Sequence, residues 1–432
     1  MKKLNLLAFC FFVMAAAIAQ NYPSRSNVLW VTEPDHRDWL YQLGEEATVT
    51  VSLYEFGMPV DAKTITYRVG PEMMPADQEG TLTLKDGKAV LSLGTSTAPG
   101  FRDCWFTAAL NGETYRHHVK VGFAPEKLEP FTEFPEDFVS YWEAAKKKAA
   151  ACPMLIEKTF VPEYSNDHVA CYLVKIQAFE KGQQVYGYLS IPKKEGQFPV
   201  VFAPPGAGIK PMNPMKHLFY AESGVIRFDM EIHGIRPDLD AATYKEISSA
   251  FGNGDKSYLV NGLDNRDNYY MKKVYLSCVR ALDFLTTLPE WDGKNLIAQG
   301  GSQGGALALI TTALDARITA CAANHPALSD MAGYQADRAG GYPHLNRFND
   351  MLTPEKINTL QYYDVVNFAK LIEVPVFMTW GYNDNTCPPT TSYVVYNVLK
   401  SEKEAFITPI NEHWVSEKTR RVILNWIKSK LK

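Results

Sequence analysis

The feature that most constrains the fold is a glycine-rich turn, Gly300-Gly301-Ser302-Gln303-Gly304, which lies between two apolar segments. Residues 295–299 before it predict a short buried strand, and residues 306–310 after it predict the start of an apolar helix. A G-x-S-x-G sequence between a strand and a helix is typical of a nucleophile elbow, with the serine at the apex of a strained turn. Glycine suits the flanking positions because nearby backbone leaves no room for a side chain. The alternative is a strand-to-helix turn without chemistry.

The length of the chain indicates more than one domain. At 432 residues it exceeds an ordinary single domain, so two domains are expected. Hydrophobic residues make up 46% of the sequence, which allows a large core. The net charge of −4 argues against a general nucleic-acid binder or a protein of anionic membrane surfaces. After the first 20 residues no stretch reaches about 18 apolar residues, so no membrane span is predicted.

The first 19 residues predict a cleavable signal peptide. Lys2 and Lys3 precede the mostly apolar residues 4–18, and Ala17-Ile18-Ala19 supplies a small-residue cleavage site. We therefore expect a secreted or periplasmic protein. Six of the seven cysteines remain after cleavage, and buried free thiols are the favoured interpretation because the spacing is wide and shows no metal-like pairs.

Residues 20–124 predict an all-β domain. The segments 47–53 and 64–69 alternate between apolar and polar residues, as half-buried strands do. The segments 81–84 and 89–93 flank Asp86-Gly87, which is a strong hairpin signal. About six short strands in about 100 residues predict an immunoglobulin-like sandwich.

Residues 126–432 predict a second domain in which strands and helices alternate. An amphipathic helix is expected from residue 135 to about 151, and a closing helix over 416–431. Residues 235–270 predict a loop-rich excursion, and residues 331–368 predict a helical insertion. Apolar strands that alternate with helices predict a doubly wound, mostly parallel α/β sheet.

The residues after Ser302 supply the partners that a serine nucleophile needs. A serine hydroxyl requires a base, and the base requires an orienting carboxylate. In α/β-hydrolases the chain order is serine, acid, histidine. Asp384 follows the predicted strand 374–380, and His413 follows the last predicted strand, so both lie where such sheets place their sites. We predict Ser302, Asp384 and His413 as the triad.

Other residues compete for these roles or complete the site. Asp350 and Asp364 are competing acids, but both fall in the predicted insertion. His325 also follows a strand, and we interpret it as lining the substrate pocket.

Two backbone amides are predicted to bind the oxyanion. The amide of Gln303 opens the helix after the elbow, and the amide of Ala207 lies in the glycine-rich turn after strand 199–203. An ordinary β-turn is the alternative at Ala207. No pair or cluster of residues has metal-ligand spacing, so neither a metal nor another cofactor is predicted.

Several segments resemble one known family closely. They are residues 278–285, Gly301-Ser302-Gln303-Gly304-Gly305, Ser329-Asp330, residues 363–369, and residues 381–389 around Asp384. These resemble the acetyl xylan esterase and cephalosporin C deacetylase family, carbohydrate esterase family seven, over residues 126–432. The resemblance implies an α/β-hydrolase fold and deacetylation of sugar acetates by a serine mechanism.

The sequence departs from that family at three places. The family has a tyrosine at the position aligned with Ala207, an Arg-Gly-Gln loop where this chain has Glu231-Ile232-His233-Gly234, and His-Glu where it has His413-Trp414. The last two departures weaken the case for xylan itself and for the family's hexameric assembly. The first predicts an acyl pocket that is wider unless Trp414 or Tyr382 refills the space. We therefore predict that Tyr382 and Trp414 bind substrate, as does His325, which is expected to line the pocket.

Three functions remain open from the sequence. A secreted carbohydrate acetyl esterase is favoured, with an acetylated carbohydrate as its substrate. A peptidase of the prolyl-oligopeptidase kind would share the elbow, but those enzymes usually carry tyrosine where this chain has Gln303. A non-catalytic glycan-binding protein is the third, and the complete set Ser302, Asp384 and His413 counts against it. The oligomeric state is left undetermined.

Overall fold

A computed structural model describes residues 27–251 and 257–432. The predicted signal peptide lies outside the described residues, as does Cys10. The six cysteines within them are all free, and five are buried. Among the helices of the two described ranges, none is long and apolar enough to cross a membrane.

Residues 28–123 form two β-sheets, which we call the N-terminal β module. One sheet has four strands, in which β3 pairs with β1, β4 and β7; the other has five strands in the order β2-β9-β8-β5-β6. The strands are β1 (Val28–Pro34), β2 (Leu40–Tyr41), β3 (Ala47–Glu55), β4 (Met58–Pro59), β5 (Thr64–Pro71), β6 (Gln78–Thr83), β7 (Lys88–Gly94), β8 (Gly100–Leu110) and β9 (Glu113–Phe123). Alternate residues of each main strand, such as Val49, Val51 and Leu53, fill the core between the sheets.

The prediction of a hairpin at Asp86-Gly87 is wrong, although the turn itself is present. Both residues have positive φ, 50° and 73°, and Lys85 and Lys88 exchange two backbone hydrogen bonds across the turn. The flanking strands then separate, because β6 pairs with β5 in one sheet and β7 pairs with β3 in the other. Packing between the two sheets therefore overrides the local preference for a hairpin.

The rest of the chain is built on a nine-stranded sheet in the order β10-β11-β12-β14-β13-β15-β16-β17-β18. The first four strands in this order pair antiparallel and the others pair parallel. The strands are β10 (Ile156–Phe160), β11 (Val169–Gln177), β12 (Gln184–Pro192), β13 (Phe198–Ala203), β14 (Ile226–Met230), β15 (Trp291–Gly301), β16 (Ala320–Asn324), β17 (Val376–Trp380) and β18 (Lys403–Ile407). The mostly parallel α/β sheet expected from the sequence is confirmed.

Helices cover both faces of this sheet, and successive side chains of one strand pack against helices on opposite faces. Val200 packs with the large cluster that includes α1, α4 and α5, whereas Val201 packs with the closing helix α9. The helices are α1 (Phe138–Ala150), α2 (Phe219–Glu222), α3 (Ala241–Phe251), α4 (Tyr270–Leu285), α5 (Gln303–Leu314), α6 (Pro354–Gln361), α7 (Val365–Ala369), α8 (Pro389–Val398) and α9 (Glu417–Ser429). The segment 235–270, which was predicted to be rich in loops, contains the helix α3, which the sequence did not predict.

The N-terminal β module packs directly on the α/β part. Phe101 of β8 is only 4% exposed and belongs to the same hydrophobic cluster as Trp142 of α1. Its ring lies 5.1 Å from that of Tyr382 and 5.8 Å from that of Tyr393, measured between ring centroids. The two parts of the chain thus share a core across their interface.

Candidate active site

Ser302 lies at the apex of the turn between β15 and α5, in a strained backbone conformation. Its φ of 59° and ψ of −127° are costly for a residue with a side chain. A Cβ on Gly300 would lie 2.2 Å from the carbonyl oxygen of Gly304, and one on Gly304 would lie 2.4 Å from the carbonyl oxygen of Pro204. Only glycine fits either position, which is the steric reason for the sequence pattern.

Asp384 and His413 meet at the carboxyl ends of β17 and β18. Nδ1 of His413 donates a hydrogen bond of 2.8 Å to Oδ2 of the fully buried Asp384. The other carboxylate oxygen accepts from the backbone amides of Thr386 and Cys387, at 2.8 and 2.9 Å. Burial acts to raise the pKa of Asp384, but the hydrogen bond and charge of His413 outweigh burial and lower it. Asp384 is therefore ionised and holds the imidazole in one orientation.

Ser302 and His413 line one cavity, which has a volume of about 540 Å³. Ser302, His413, His325 and Trp414 all line this space, which we call the Ser302 cavity. Among the described residues, the Ser302 hydroxyl makes no hydrogen bond to His413, whose Nδ1 is bonded to Asp384. Such bonds are often long in a ligand-free enzyme and shorten when substrate binds.

The loop after β13 and the start of α5 form the candidate oxyanion site. Gln303 is the first residue of α5, so its amide has no partner within the helix. The amides of Gly206 and Ala207 donate no hydrogen bond to any described residue, whereas Gly208 donates to the hydroxyl of Tyr258 at 3.1 Å. Of these loop residues, Gly206 lines the Ser302 cavity and Ala207 does not.

Tyr258 connects the two halves of this oxyanion site. Its hydroxyl donates to Oε1 of Gln303 at 2.7 Å while it accepts from Gly208. The side chain is 1% exposed, so both hydrogen bonds are shielded from water. Tyr258 therefore fixes the loop after β13 against the elbow. Nothing in the local sequence distinguishes Tyr258 from the other tyrosines of residues 235–270.

His325 packs beside the base. The centroids of the His325 and His413 rings are 4.4 Å apart, and His325 is 6% exposed. Burial, together with the charge of His413, lowers the pKa of His325 to about 4. His325 is therefore neutral over the range in which His413 would act as a base. Its place in the cavity wall matches the predicted location.

His325, Asp384 and His413 also form a group whose ligand-type atoms lie within 4.8 Å of one another. The closest pair of these atoms, Nδ1 of His413 and Oδ2 of Asp384, is already joined by a hydrogen bond. One ring nitrogen of His413 is therefore bonded to Asp384, and the other makes no hydrogen bond to a described residue.

Tyr382 is not part of the cavity wall, contrary to the sequence prediction. Its ring is 1% exposed and packs against Phe101, and its hydroxyl meets that of Tyr393 at 3.1 Å. The N-terminal β module covers this side chain, so substrate in the Ser302 cavity cannot reach it. Trp414 does line the cavity and is 51% exposed.

The two competing acids, Asp364 and Asp350, lie elsewhere in the structure and do not contact His413. Asp364 accepts hydrogen bonds from the amides of Asp330, Met331 and Val366, so it caps α7 and fixes the turn at 330. Asp350 is exposed in the insertion. Neither carboxylate is hydrogen-bonded to His413, whereas that of Asp384 is.

The fold and the elbow define an α/β-hydrolase. A family profile described as acetyl xylan esterase (AXE1) matches residues 126–430. The acetyl esterase Axe7A of Xylanibacter ruminicola is 54% identical over 434 residues, covering 100% of this chain and 98% of that protein. The chain therefore belongs to the acetyl xylan esterase family and is a carboxylic ester hydrolase.

Solved structures agree with this assignment. An acetyl xylan esterase from Paenibacillus sp. R4 aligns with a TM-score of 0.63 and 26% identity, over 71% of this chain and 98% of that one. Acetyl xylan esterase 1 from Thermoanaerobacterium sp. JW/SL YS485 aligns with a TM-score of 0.62 and 24% identity over the same shares, and it supports the fold alone.

The steric role of the elbow glycines can be tested by alanine substitution. We expect Gly300→Ala and Gly304→Ala each to lower the free energy of unfolding by about 1–3 kcal/mol or more, because each Cβ would overlap a carbonyl oxygen. Gly301→Ala is the matched control, since its Cβ would come no closer than 3.5 Å to any other residue. Urea denaturation measures all three. Equal losses at the three positions would contradict the steric explanation.

The two histidines of the cavity can be separated by their effect on pH dependence. We expect His413→Gln to lower kcat/KM for an acetyl ester by about a thousandfold or more. His325→Gln should lower it by less than about tenfold and leave the acidic limb of the pH profile in place, because His325 is already neutral above about pH 5. A displaced or missing limb in His325→Gln would identify His325 as the base.

Proposed function

We propose that this protein is an exported serine esterase that removes acetyl groups from acetylated carbohydrates. The observation that carries the proposal is the convergence of the strained Ser302 and the His413–Asp384 pair on one cavity. We assign Ser302 as the nucleophile, His413 as the base and Asp384 as the orienting acid. The amide of Gln303 is assigned to the oxyanion hole, together with one from the loop after β13, where Ala207 and Gly206 are the candidates.

The proposed reaction proceeds through an acyl-enzyme. His413 takes the proton of Ser302 while Oγ attacks the ester carbonyl carbon, and the oxyanion amides stabilise the negative oxygen. The tetrahedral intermediate collapses, the sugar oxygen leaves with the proton from His413, and an acetyl-serine ester remains. Water then attacks this ester with His413 again as the base, and acetate and free Ser302 are released.

A carbohydrate substrate is supported by the lining of the Ser302 cavity and by the relatives. Away from Ser302 the lining includes Asn213, His217 and Gln299, which can exchange hydrogen bonds with hydroxyl groups. The volume of about 540 Å³ exceeds the space that an acetyl group alone requires and is typical of small-molecule sites. The names of the relatives include acetyl esterase and acetyl xylan esterase.

Export and domain organisation complete the proposal. We propose that residues 1–19 are removed as a signal peptide and that the mature protein is periplasmic or secreted. We also propose that residues 20–124 form an immunoglobulin-like sandwich ahead of the catalytic domain, residues 126–432. The support is the two-sheet arrangement of β1–β9 and the family match that begins at residue 126.

Loss of the nucleophile tests the serine mechanism. We expect Ser302→Ala to lower kcat for para-nitrophenyl acetate by at least about 10⁴-fold while the thermal midpoint changes little, because triad members act as a unit. The wild-type enzyme should also release acetate from at least one of acetylated xylan, pectin and mannan, and cleave no prolyl peptide. Near-normal turnover by Ser302→Ala would refute the mechanism, and peptide cleavage without acetate release would refute the substrate class.

Acyl-chain preference tests the acetyl specificity. We expect kcat/KM for para-nitrophenyl esters to be highest with acetate, with propionate and butyrate close behind, because a pocket discriminates by only about 1–3 kcal/mol per methylene. Octanoate should be the poorest of the four. An optimum at octanoate would indicate a lipase-like acyl site and contradict the carbohydrate-acetate proposal.

A further inference from the structure

Strand β9 of the N-terminal β module runs along the two loops that carry the acid and the base. We call residues 381–388 the acid loop and residues 408–416 the base loop. Val119 and Val121 of β9 face the core of the module. His118 and Lys120 alternate with them and face the α/β part, where both are buried. The outer face of this strand is therefore an interface with the candidate active site.

Lys120 binds the backbone of the acid itself. Its side chain is 0% exposed, and Nζ donates to the backbone carbonyl oxygen of Asp384 at 2.8 Å. The same ammonium donates to Oε1 of Glu72 at 2.7 Å, and Glu72, which is also buried, accepts weakly from the amide of Thr390 in α8. A buried ammonium thus holds the backbone of Asp384, while the amides of Thr386 and Cys387 and the imidazole of His413 hold its carboxylate.

The backbone of Lys120 reaches the base loop through one intermediate residue. The amide of Lys120 donates to Oδ1 of Asn383 at 2.9 Å, and Nδ2 of Asn383 donates to the carbonyl oxygen of Ile410 at 3.3 Å. Two residues before Lys120, Nε2 of His118 donates to Oε1 of Glu412 at 3.1 Å. Glu412 immediately precedes His413, so β9 contacts both loops.

We propose that Lys120 is a positioning residue and that β9 of the N-terminal β module sets the distance between Asp384 and His413. The proposal rests on the catalytic roles proposed above for these two residues. The family profile begins at residue 126, so this support comes from a part of the chain that precedes the matched segment. The module is thus a structural component of the catalytic site in addition to any other role it has.

The competing explanation is that Lys120 and Glu72 only stabilise the interface. A single substitution cannot separate the two, because removing one member of a buried pair leaves an unpaired charge and destabilises the fold. Replacing a buried ion pair with hydrophobic side chains of similar volume is often close to neutral for stability. Here methionine replaces the lysine, and glutamine keeps an acceptor for the amide of Thr390 at the position of Glu72. The double variant Glu72→Gln/Lys120→Met therefore removes the ammonium from Asp384 without leaving a buried charge.

The experiment compares Lys120→Met, the double variant and Lys88→Met in the full-length protein. Lys88 is exposed on β7 and supplies the same change in charge without contact to either loop. We expect Lys120→Met to lower both the thermal midpoint and kcat for para-nitrophenyl acetate. The double variant should recover the midpoint while kcat stays at least about tenfold below wild type and KM changes little, because misplacement of a catalytic pair acts mainly on kcat. Lys88→Met should match wild type.

A double variant with the wild-type midpoint and wild-type kcat would overturn the proposal and leave Lys120 a purely structural residue. If the double variant does not fold, Glu412→Ala decides, because that side chain is 62% exposed and its removal should cost little stability. We then expect a severalfold lower kcat at an unchanged midpoint, and an unchanged kcat overturns the proposal. Ser302→Ala separates this failure from failure of the proposed function. Loss of turnover in that variant supports the serine mechanism whatever the role of Lys120.

Discussion

The close approach of backbone around Ser302 is the constraint on which the rest of the site depends. Because Gly304 passes within contact distance of Pro204, the elbow fixes the loop that contains Gly206 and Ala207. On its other side the amide of Ser302 donates to Asn324 at the end of β16, which sets the start of the loop with His325. One turn therefore positions Ser302, the candidate oxyanion amides and one wall of the cavity.

Asp384 and His413, the proposed acid and base, are held in place by a different kind of interaction. Asp384 and His413 lie on loops, where the regular hydrogen bonds of a helix or sheet do not fix the backbone. Asp384 is held by amides of its own loop, by the imidazole and by Lys120. Backbone sterics thus fix Ser302, whereas a polar network fixes Asp384 and His413. Substitutions at the two places should therefore differ in how strongly they affect stability relative to turnover.

The parts of this structure that depend on short-range patterns could be predicted from the sequence. The elbow, the order of strands and helices in the α/β part, and the closing helix follow from glycine positions and apolar periodicity. The separation of β6 and β7 into different sheets could not be predicted. The turn at Asp86-Gly87 has the same local sequence signal whether or not the two flanking strands pair with each other. Tyr382 was misplaced for a related reason, since it lies beside Asp384 in sequence but under Phe101 in space.

The burial of Lys120 is the feature that the sequence predicts least well. In β9 the alternation of valines with His118 and Lys120 is typical of a strand with one face in water. The second face is instead covered by the acid and base loops, more than 260 residues later in the chain. A solvent-exposed lysine on this strand would contribute little to stability, whereas the buried ammonium needs both Glu72 and the Asp384 carbonyl oxygen. Because that requirement is met only when the module is docked, the interface and the geometry of the acid depend on each other.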